Sequence, residues 1–121
     1  MTDEEYYEFI RPYEDAKQML LTRLDVLNHN LYGEASARPI HNIQCRIKKK
    51  RSIEEKLRRK GKEETVINAK DYLQDIAGVR VICYFVDDIY NLTELLKSQS
   101  DLIVIKERDY ISSPKPNGYR S

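Results

Sequence analysis

A strand pattern, a helix pattern and a second strand pattern follow one another in the second half of the 121-residue chain. Residues 79–85 form a run of β-branched and aromatic side chains that is typical of a strand. Residues 89–98 follow two possible capping residues, Asp87 and Asp88, and carry apolar side chains at helical spacing, and residues 102–105 begin a second strand-like run. Two strands joined by a crossover helix are usually parallel. The pattern therefore predicts a βαβ unit within an α/β (α+β) fold.

The N-terminal part of the chain has the pattern of a long helix. Residues 3–15 hold six acidic residues and one arginine, and Tyr13, Leu20 and Leu27 recur every seven residues. We expect this helix to end near Gly33, because glycine commonly follows a helix C-terminus. Its apolar stripe is suited to packing within the domain and equally to a contact between subunits.

Positive charge is concentrated between residues 46 and 62. This segment holds ten Lys and Arg residues against two Glu residues, a net charge of +8 in 17 residues, whereas the whole chain has 21 basic and 20 acidic residues. Ser52 is a good N-cap and Glu55 follows three residues later, so we expect a helix with a capping box that runs to Gly61. Ile53 and Leu57 would form its buried side.

One face of this predicted helix suits phosphate groups. Ser52, Lys56 and Arg59 fall at i, i+4 and i+7, so a hydroxyl and two cations share that face, with Lys48 just ahead of the helix. Asp75 lies in a short helix or turn predicted for residues 71–76 and stands just before a strand. A carboxylate for Mg²⁺ together with cations on phosphate oxygens is what phosphoryl transfer requires. The residues alone leave open a nucleotide-transfer enzyme, a solvated surface and an RNA-binding patch.

Several common types of site are not expected. The chain has no Gly-x-Gly-x-x-Gly motif, and Gly61 fails as part of a P-loop because Lys56 occupies the earlier glycine position. Cys45 and Cys83 lie 38 positions apart, without the close spacing that zinc sites use. No apolar run approaches the ~20 residues of a membrane span, and the acidic N-terminus is unlike a secretion signal. We therefore expect a cytoplasmic protein with neither a structural zinc site nor disulfides.

Four short motifs occur in an order that is more specific than any one of them. They are Asp-Ile-Ala-Gly-Val-Arg at 75–80, the Arg-x-Lys…Ser…Lys…Arg pattern of 46–59, Phe-Val-Asp-Asp-Ile-Tyr at 85–90, and residues 108–121, which contain Lys-Pro-Asn-Gly-Tyr. With them the chain resembles the synthetase domain of the RelA/SpoT alarmone enzymes, most closely the small, synthetase-only bacterial members. The resemblance implies a nucleotidyltransferase-like mixed sheet flanked by helices. It also implies Mg²⁺-dependent transfer of pyrophosphate from ATP to the 3′-hydroxyl of GTP or GDP, which gives pppGpp or ppGpp and AMP in the stringent response.

The resemblance further implies a role for each candidate site residue. Asp75 would bind Mg²⁺ and help to activate the attacking hydroxyl, and is the candidate catalytic residue. The adenine of ATP would lie between two guanidinium groups and its phosphates would be held by a hydroxyl and cations; the residues are Arg46 and Arg80 for the base and Lys48, Ser52, Lys56 and Arg59 for the phosphates. GTP or GDP would be bound by Arg108, Lys115, Asn117, Gly118 and Tyr119, with Tyr119 stacked on guanine.

The chain departs from the family pattern in two places. Cys45 stands where the family commonly has glycine, in an expected loop before Arg46. The chain also stops within a motif at residues 118–121, ahead of a strand that in the family supplies a glutamate to the metal site. We therefore expect the N-terminal part of a synthetase domain that lacks C-terminal strands; its parts are an N-terminal helix (1–33), a basic ATP-binding segment (46–62) and a catalytic α/β part (71–121).

Two other hypotheses about the function are also consistent with the sequence. The basic segment could belong to a non-catalytic module that binds RNA or another polyanion, with steep salt dependence. The chain could also be an inactive fragment of the enzyme. Small members of the family are typically homotetramers, so the resemblance implies a homo-oligomer, and the lack of a His-Asp pair implies that the product is not hydrolysed.

Overall fold

The computed structural model describes residues 1–30 and 38–114. Its elements are helix α1 (Asp3–Asn30), strand β1 (Ile40–Ile47), helix α2 (Lys50–Arg59), helix α3 (Val66–Tyr72), strand β2 (Ala77–Cys83) and helix α4 (Val86–Lys97). The chain divides into two compact units, residues 1–85 and residues 86–121. The predicted mixed α/β class is confirmed. The helix predicted over residues 1–33 is present to Asn30, and its expected end at Gly33 lies outside the described residues.

The sheet of the first unit differs from the predicted one. β1 and β2 pair antiparallel, with Ile47 opposite Ala77 at one end and Ile40 opposite Cys83, beyond a bulge, at the other. The prediction of a parallel pair that includes residues 102–105 is wrong, because these residues form no strand in the described chain. β1 was not predicted. Its sequence, Ile-His-Asn-Ile-Gln-Cys-Arg-Ile, lacks the strict alternation that marks a half-buried strand.

A small core joins the three helices of the first unit. Phe9 and Ile10 come from α1, Ile53 and Leu57 from α2, and Ala69 from α3; Leu73 and Ile76 complete the cluster. Ile53 and Leu57 are fully buried, as predicted. Burying two such side chains stabilises the fold by roughly 1.5–3 kcal/mol each. The core therefore fixes α2 beside the segment that leads from α3 into β2.

Two helix starts differ from the predicted ones. α2 begins at Lys50 with Lys49 as its N-cap and no side-chain cap, so the predicted capping box at Ser52 is wrong and Ser52 lies inside the helix. α3 spans Val66–Tyr72, because the side chain of Thr65 accepts a hydrogen bond of 3.2 Å from the backbone N–H of Asn68. The helix or turn predicted at residues 71–76 is therefore wrong beyond Tyr72. Asp75 nevertheless stands just before β2, as predicted.

The end of α2 agrees with the sequence. Gly61 has φ +69°, a conformation that other residues rarely adopt. Its N–H donates to the carbonyl of Arg58 at 2.9 Å, and the N–H of Lys62 donates to the carbonyl of Leu57 at 2.9 Å. This is the hydrogen-bond pattern of a Schellman motif, which closes the helix.

The second unit consists of α4 and the segment that follows it. Leu92 is its buried helix residue, and Asp87 and Asp88 lie in the first turn of α4 instead of capping it. Lys97 forms ion pairs of 2.6 Å with Glu107 and 3.5 Å with Glu94. Among the helices described, none is long and apolar enough to cross a membrane.

Candidate functional site

Lys48 lies in the short connection between β1 and α2, and its backbone is held on both sides. Its N–H donates to the carbonyl of Ile76 at 2.7 Å, which continues the pairing of the two strands by one more step. The hydroxyl of Tyr6 on α1 donates to the carbonyl of Lys48 at 2.8 Å. Burial raises the pKa of Tyr6, so its hydroxyl remains protonated as a donor. The Lys48 side chain therefore starts from a fixed point.

Two lysines and one aspartate form the centre of the site. The Nζ atom of Lys48 donates to Oδ2 of Asp75 at 2.8 Å, and Nζ of Lys56 on α2 donates to Oδ1 of Asp75 at 3.0 Å. The hydrogen bond from Lys48, followed in importance by the one from Lys56, holds the pKa of Asp75 well below its ordinary value, because both bonds stabilise the charged form. Since the Asp75 side chain is 46% exposed, a ligand can reach it.

The face of α2 predicted to suit phosphates is formed as expected from its spacing. Ser52, Lys56 and Arg59 all lie within the helix, and Lys56 is the residue that reaches Asp75. Arg59 is exposed and has no ion-pair partner in the described part of the chain. Arg58, which the sequence left out of the site, pairs with Glu64 at 2.6 Å. The structure thus places Ser52, Lys56 and Arg59 in one helix, and it brings Lys48 and Lys56 into contact with Asp75.

The two arginines assigned to the base lie on one face of the sheet. Arg46 is opposite Gly78 and Gln44 is opposite Arg80, and residues opposite each other or two apart share a face. This face is exposed at all four positions, whereas Ile47 on the other face packs against the core. Arg46 and Arg80 have no ion-pair partner within the described ranges. Their guanidinium groups are thus available to a ligand.

A cavity of about 390 Å³ lies over this pair of strands. It is lined by Gln44, Cys45, Arg46, Gly78, Val79 and Arg80. A Cβ atom at Gly78 would meet nothing within 4 Å, so the missing side chain leaves open space beside Arg46. Cys45 lies in regular strand opposite Val79, which corrects the expectation that it stands in a loop. The substitution therefore leaves the position of Arg46 in the strand intact.

The predicted acceptor residues are only partly within the described chain. Arg108, in the second unit, is exposed and donates from its guanidinium to the hydroxyl of Tyr110 at 3.1 Å. Next to it, Oδ1 of Asp109 accepts hydrogen bonds from the N–H groups of Ile111 (2.9 Å) and Ser112 (3.1 Å), and Oδ2 accepts one from Tyr90 (2.9 Å). The other four lie outside the described residues: Lys115, Asn117, Gly118 and Tyr119.

The donor set at Asp75 fits a magnesium ion that shares its ligands with a substrate. In residues 1–30 and 38–114, no three His, Cys, Asp or Glu side chains cluster as a metal site would require. Asp75 offers one carboxylate. Mg²⁺ commonly uses one or two carboxylates and takes its remaining ligands from phosphate oxygens and water. Asp75 would then supply one protein ligand of such an ion.

Sequence reasoning missed Tyr6, Gln44 and Gly78. Gln44 and Gly78 belong to the site only because β1 pairs with β2, and Tyr6 only because α1 packs beside the connection after β1. The pairing could have been found from the repeated aliphatic residues of 40–47. No local signal marks Tyr6.

The chain is similar in sequence to one protein family and to relatives of known name. The family model described as a region found in RelA/SpoT proteins matches residues 45–121. The GTP pyrophosphokinase YwaC of Bacillus subtilis (strain 168) is 43% identical over 109 residues, which cover 90% of this chain and 52% of YwaC. The GTP pyrophosphokinase YjbM of the same strain is 37% identical over 121 residues, 100% of this chain and 56% of YjbM. The chain thus spans about half the length of these relatives.

Two solved structures of one synthetase are also similar to this chain. Small alarmone synthetase 1 from Bacillus subtilis, bound to its product pppGpp, is 36% identical and superposes with a TM-score of 0.78, covering 98% of this chain and 59% of that one. The same synthetase bound to AMPCPP is 35% identical with a TM-score of 0.72, covering 91% and 57%.

Proposed function

This chain belongs to the RelA/SpoT family, and we propose that it supplies the ATP-binding part of a GTP pyrophosphokinase. The reaction is transfer of pyrophosphate from ATP to the 3′-hydroxyl of GTP or GDP, with AMP and pppGpp or ppGpp as products. The observation that carries the proposal is the Lys48–Asp75–Lys56 cluster, which lies at one end of a sheet face that presents Arg46 and Arg80. Anion-binding and base-binding groups thus lie side by side.

The arginine pair suits a purine ring. Arg46 and Arg80 are diagonal neighbours on one face of an antiparallel pair, a relation that places Cβ atoms about 7–8 Å apart or somewhat less. That spacing is twice the ~3.5–4.0 Å of a van der Waals contact, so a flat ring fits between the two guanidinium planes. Guanidinium groups stack well on aromatic rings. In B. subtilis small alarmone synthetase 1, a structure with AMPCPP bound supports a nucleotide site in this family.

The lysine pair suits the phosphates of ATP. Lys48 and Lys56 each bond to Asp75, and ATP phosphates offer both lysines a stronger negative charge. Exchange of partners would release the Asp75 carboxylate, while Ser52 and Arg59 on the same helix face add a hydroxyl and a further cation. Cations on the phosphates reduce the repulsion between two polyphosphates brought together for reaction. When bound, Mg²⁺ supplies further neutralisation of the same oxygens, with Asp75 as a ligand.

The acceptor side of the proposal rests on family membership. GTP or GDP would be held by Arg108, Lys115, Asn117, Gly118 and Tyr119. The relative solved with pppGpp supports a guanine nucleotide site in this family. We also propose that the protein is cytoplasmic, like its nucleotide substrates, and forms a homo-oligomer, for which light scattering of the full-length protein is the test.

The proposed function is tested by product analysis. The full-length protein is incubated with β-labelled ATP, Mg²⁺ and either GTP or GDP, and the nucleotides are separated. We expect label in pppGpp or ppGpp and a matching amount of AMP, and no product when Mg²⁺ is chelated. Absence of transfer, together with RNA binding that weakens steeply with salt, would instead support the polyanion-binding module.

A further inference from the structure

The exposed sheet face contains a fourth position that the motifs leave unassigned. Arg46 is opposite Gly78 and Gln44 is opposite Arg80, so the four residues form the corners of one patch. The two arginines stand on one diagonal of this patch, and Gly78 and Gln44 stand on the other. All four residues line the 390 Å³ cavity.

This arrangement gives a bound ring a direction. A flat ring between Arg46 and Arg80 has its two faces covered, so its long axis can lie along the other diagonal, from Gly78 to Gln44. Gly78 is the corner nearer the Lys48–Asp75 pair, since both strands reach that pair at their Ile47–Ala77 end. It also leaves room, because a Cβ there would meet nothing within 4 Å. The ribose and phosphates thus leave past Gly78, and the edge of the base that carries the 6-amino group lies toward Gln44.

We propose that Gln44 reads this edge and makes the donor site specific for adenine, an inference that rests on the proposed function. A glutamine amide has one carbonyl acceptor and one NH₂ donor, which together match the 6-amino group and N7 of adenine. Gln44 is exposed, and its side chain has no hydrogen-bond partner in the described residues. A 6-oxopurine offers only acceptors at these two positions, so it can bond to the NH₂ group alone.

The test compares two donors, ATP and ITP, whose bases differ at position 6. kcat and KM for each donor, and Kd by calorimetry, are measured for the full-length protein and for the variants Gln44→Met and Gln44→Glu. Asn42→Ala is the matched control, because Asn42 lies on the same face of β1, one pair further from the cavity. Thermal melting of each variant reports on folding.

The proposal predicts a different pattern for each variant. Gln44→Met lowers the wild-type preference for ATP over ITP by about five-fold or more, mainly through KM and Kd. Gln44→Glu keeps or increases the preference, since a carboxylate accepts from the 6-amino group and repels a 6-oxo group. Asn42→Ala leaves the preference unchanged.

An unchanged preference in Gln44→Met overturns the inference. A wild type that binds ATP selectively but transfers no pyrophosphate contradicts the proposed function alone, and a wild type that does not bind ATP contradicts both.

Discussion

Lys48 is fixed from three directions by residues far away in the sequence. Tyr6 binds its carbonyl, Ile76 accepts its N–H, and Asp75 pairs with its ammonium group. Its side chain is 13% exposed, so most of its length is covered, while the ammonium group lies 2.8 Å from the half-exposed Asp75 carboxylate. A lysine held in this way loses little conformational entropy when it binds a phosphate.

Gly78 allows a test of the cavity that leaves the fold in place. Gly78→Val puts a branched side chain beside Arg46, where the Cβ has open space, so we expect stability to change by less than about 1 kcal/mol while the cavity is partly filled. We expect the Kd for ATP to rise by roughly ten-fold, the equivalent of about 1.4 kcal/mol. Calorimetry measures the affinity and thermal melting the stability, with Gly78→Ala as the smaller control. Wild-type affinity in Gly78→Val would show that ATP binds elsewhere.

Among the elements, the end of α2 depends on one glycine. Gly61→Ala places a Cβ on a residue with φ +69°, which costs about 1–2 kcal/mol. We therefore expect the free energy of unfolding in urea to fall by that amount. Gly78→Ala is the matched control, because Gly78 does not have a positive φ and should change stability by less than about 1 kcal/mol. Equal effects of the two substitutions would contradict the role given to Gly61.

α4 is tied to the segment after it through Asp109. Hydrogen bonds from the N–H of Ser112 and from the hydroxyl of Tyr90 hold the pKa of Asp109 below its ordinary value. The stabilisation from these bonds is therefore present above the ordinary carboxyl pKa and is lost as pH falls through the lowered one. Tyr90→Phe should raise the pKa of Asp109, measured by NMR titration of the carboxyl carbon. Tyr84→Phe is the control and should leave the pKa of Asp109 unchanged, because the hydroxyl of Tyr84 contacts His41. A pKa that does not move in Tyr90→Phe would show that this bond is absent in solution.

At the scale of the whole molecule, local features were predicted and long-range pairing was not. The buried Ile53 and Leu57, the glycine after α2 and the position of Asp75 before β2 follow from spacing within a few residues. The partner of β2 was predicted wrongly, because residues 102–105 are all aliphatic whereas residues 40–47 hold three isoleucines among mostly polar side chains, and tertiary contacts override this local preference.

The site shows the same difference between local features, which were predicted, and long-range contacts, which were not. Motif matching indicated Lys48, Lys56 and Asp75 together, and the structure brings each lysine ammonium group to within 3.0 Å of the Asp75 carboxylate. Gln44 was not predicted, because its place opposite Arg80 depends on strand register across 36 positions of sequence. The start of α2 at Lys50 was also missed, since the helix begins without the side-chain cap that Ser52 was expected to supply.

Asp75 is the residue on which the proposed reaction depends most, and the pyrophosphate-transfer rate of Asp75→Asn in the full-length protein tests that dependence directly. Asp71→Asn is the matched control, because Asp71 is an exposed aspartate on α3 with no ion pair among the described residues. With saturating ATP, GTP and Mg²⁺, we expect Asp75→Asn to lower kcat by about 10²-fold or more, since it removes the carboxylate proposed to bind Mg²⁺ and to help activate the attacking hydroxyl. Asp71→Asn should stay within about two-fold of the wild type, as expected for a surface substitution. Wild-type turnover in Asp75→Asn would contradict a role for Asp75 in pyrophosphate transfer.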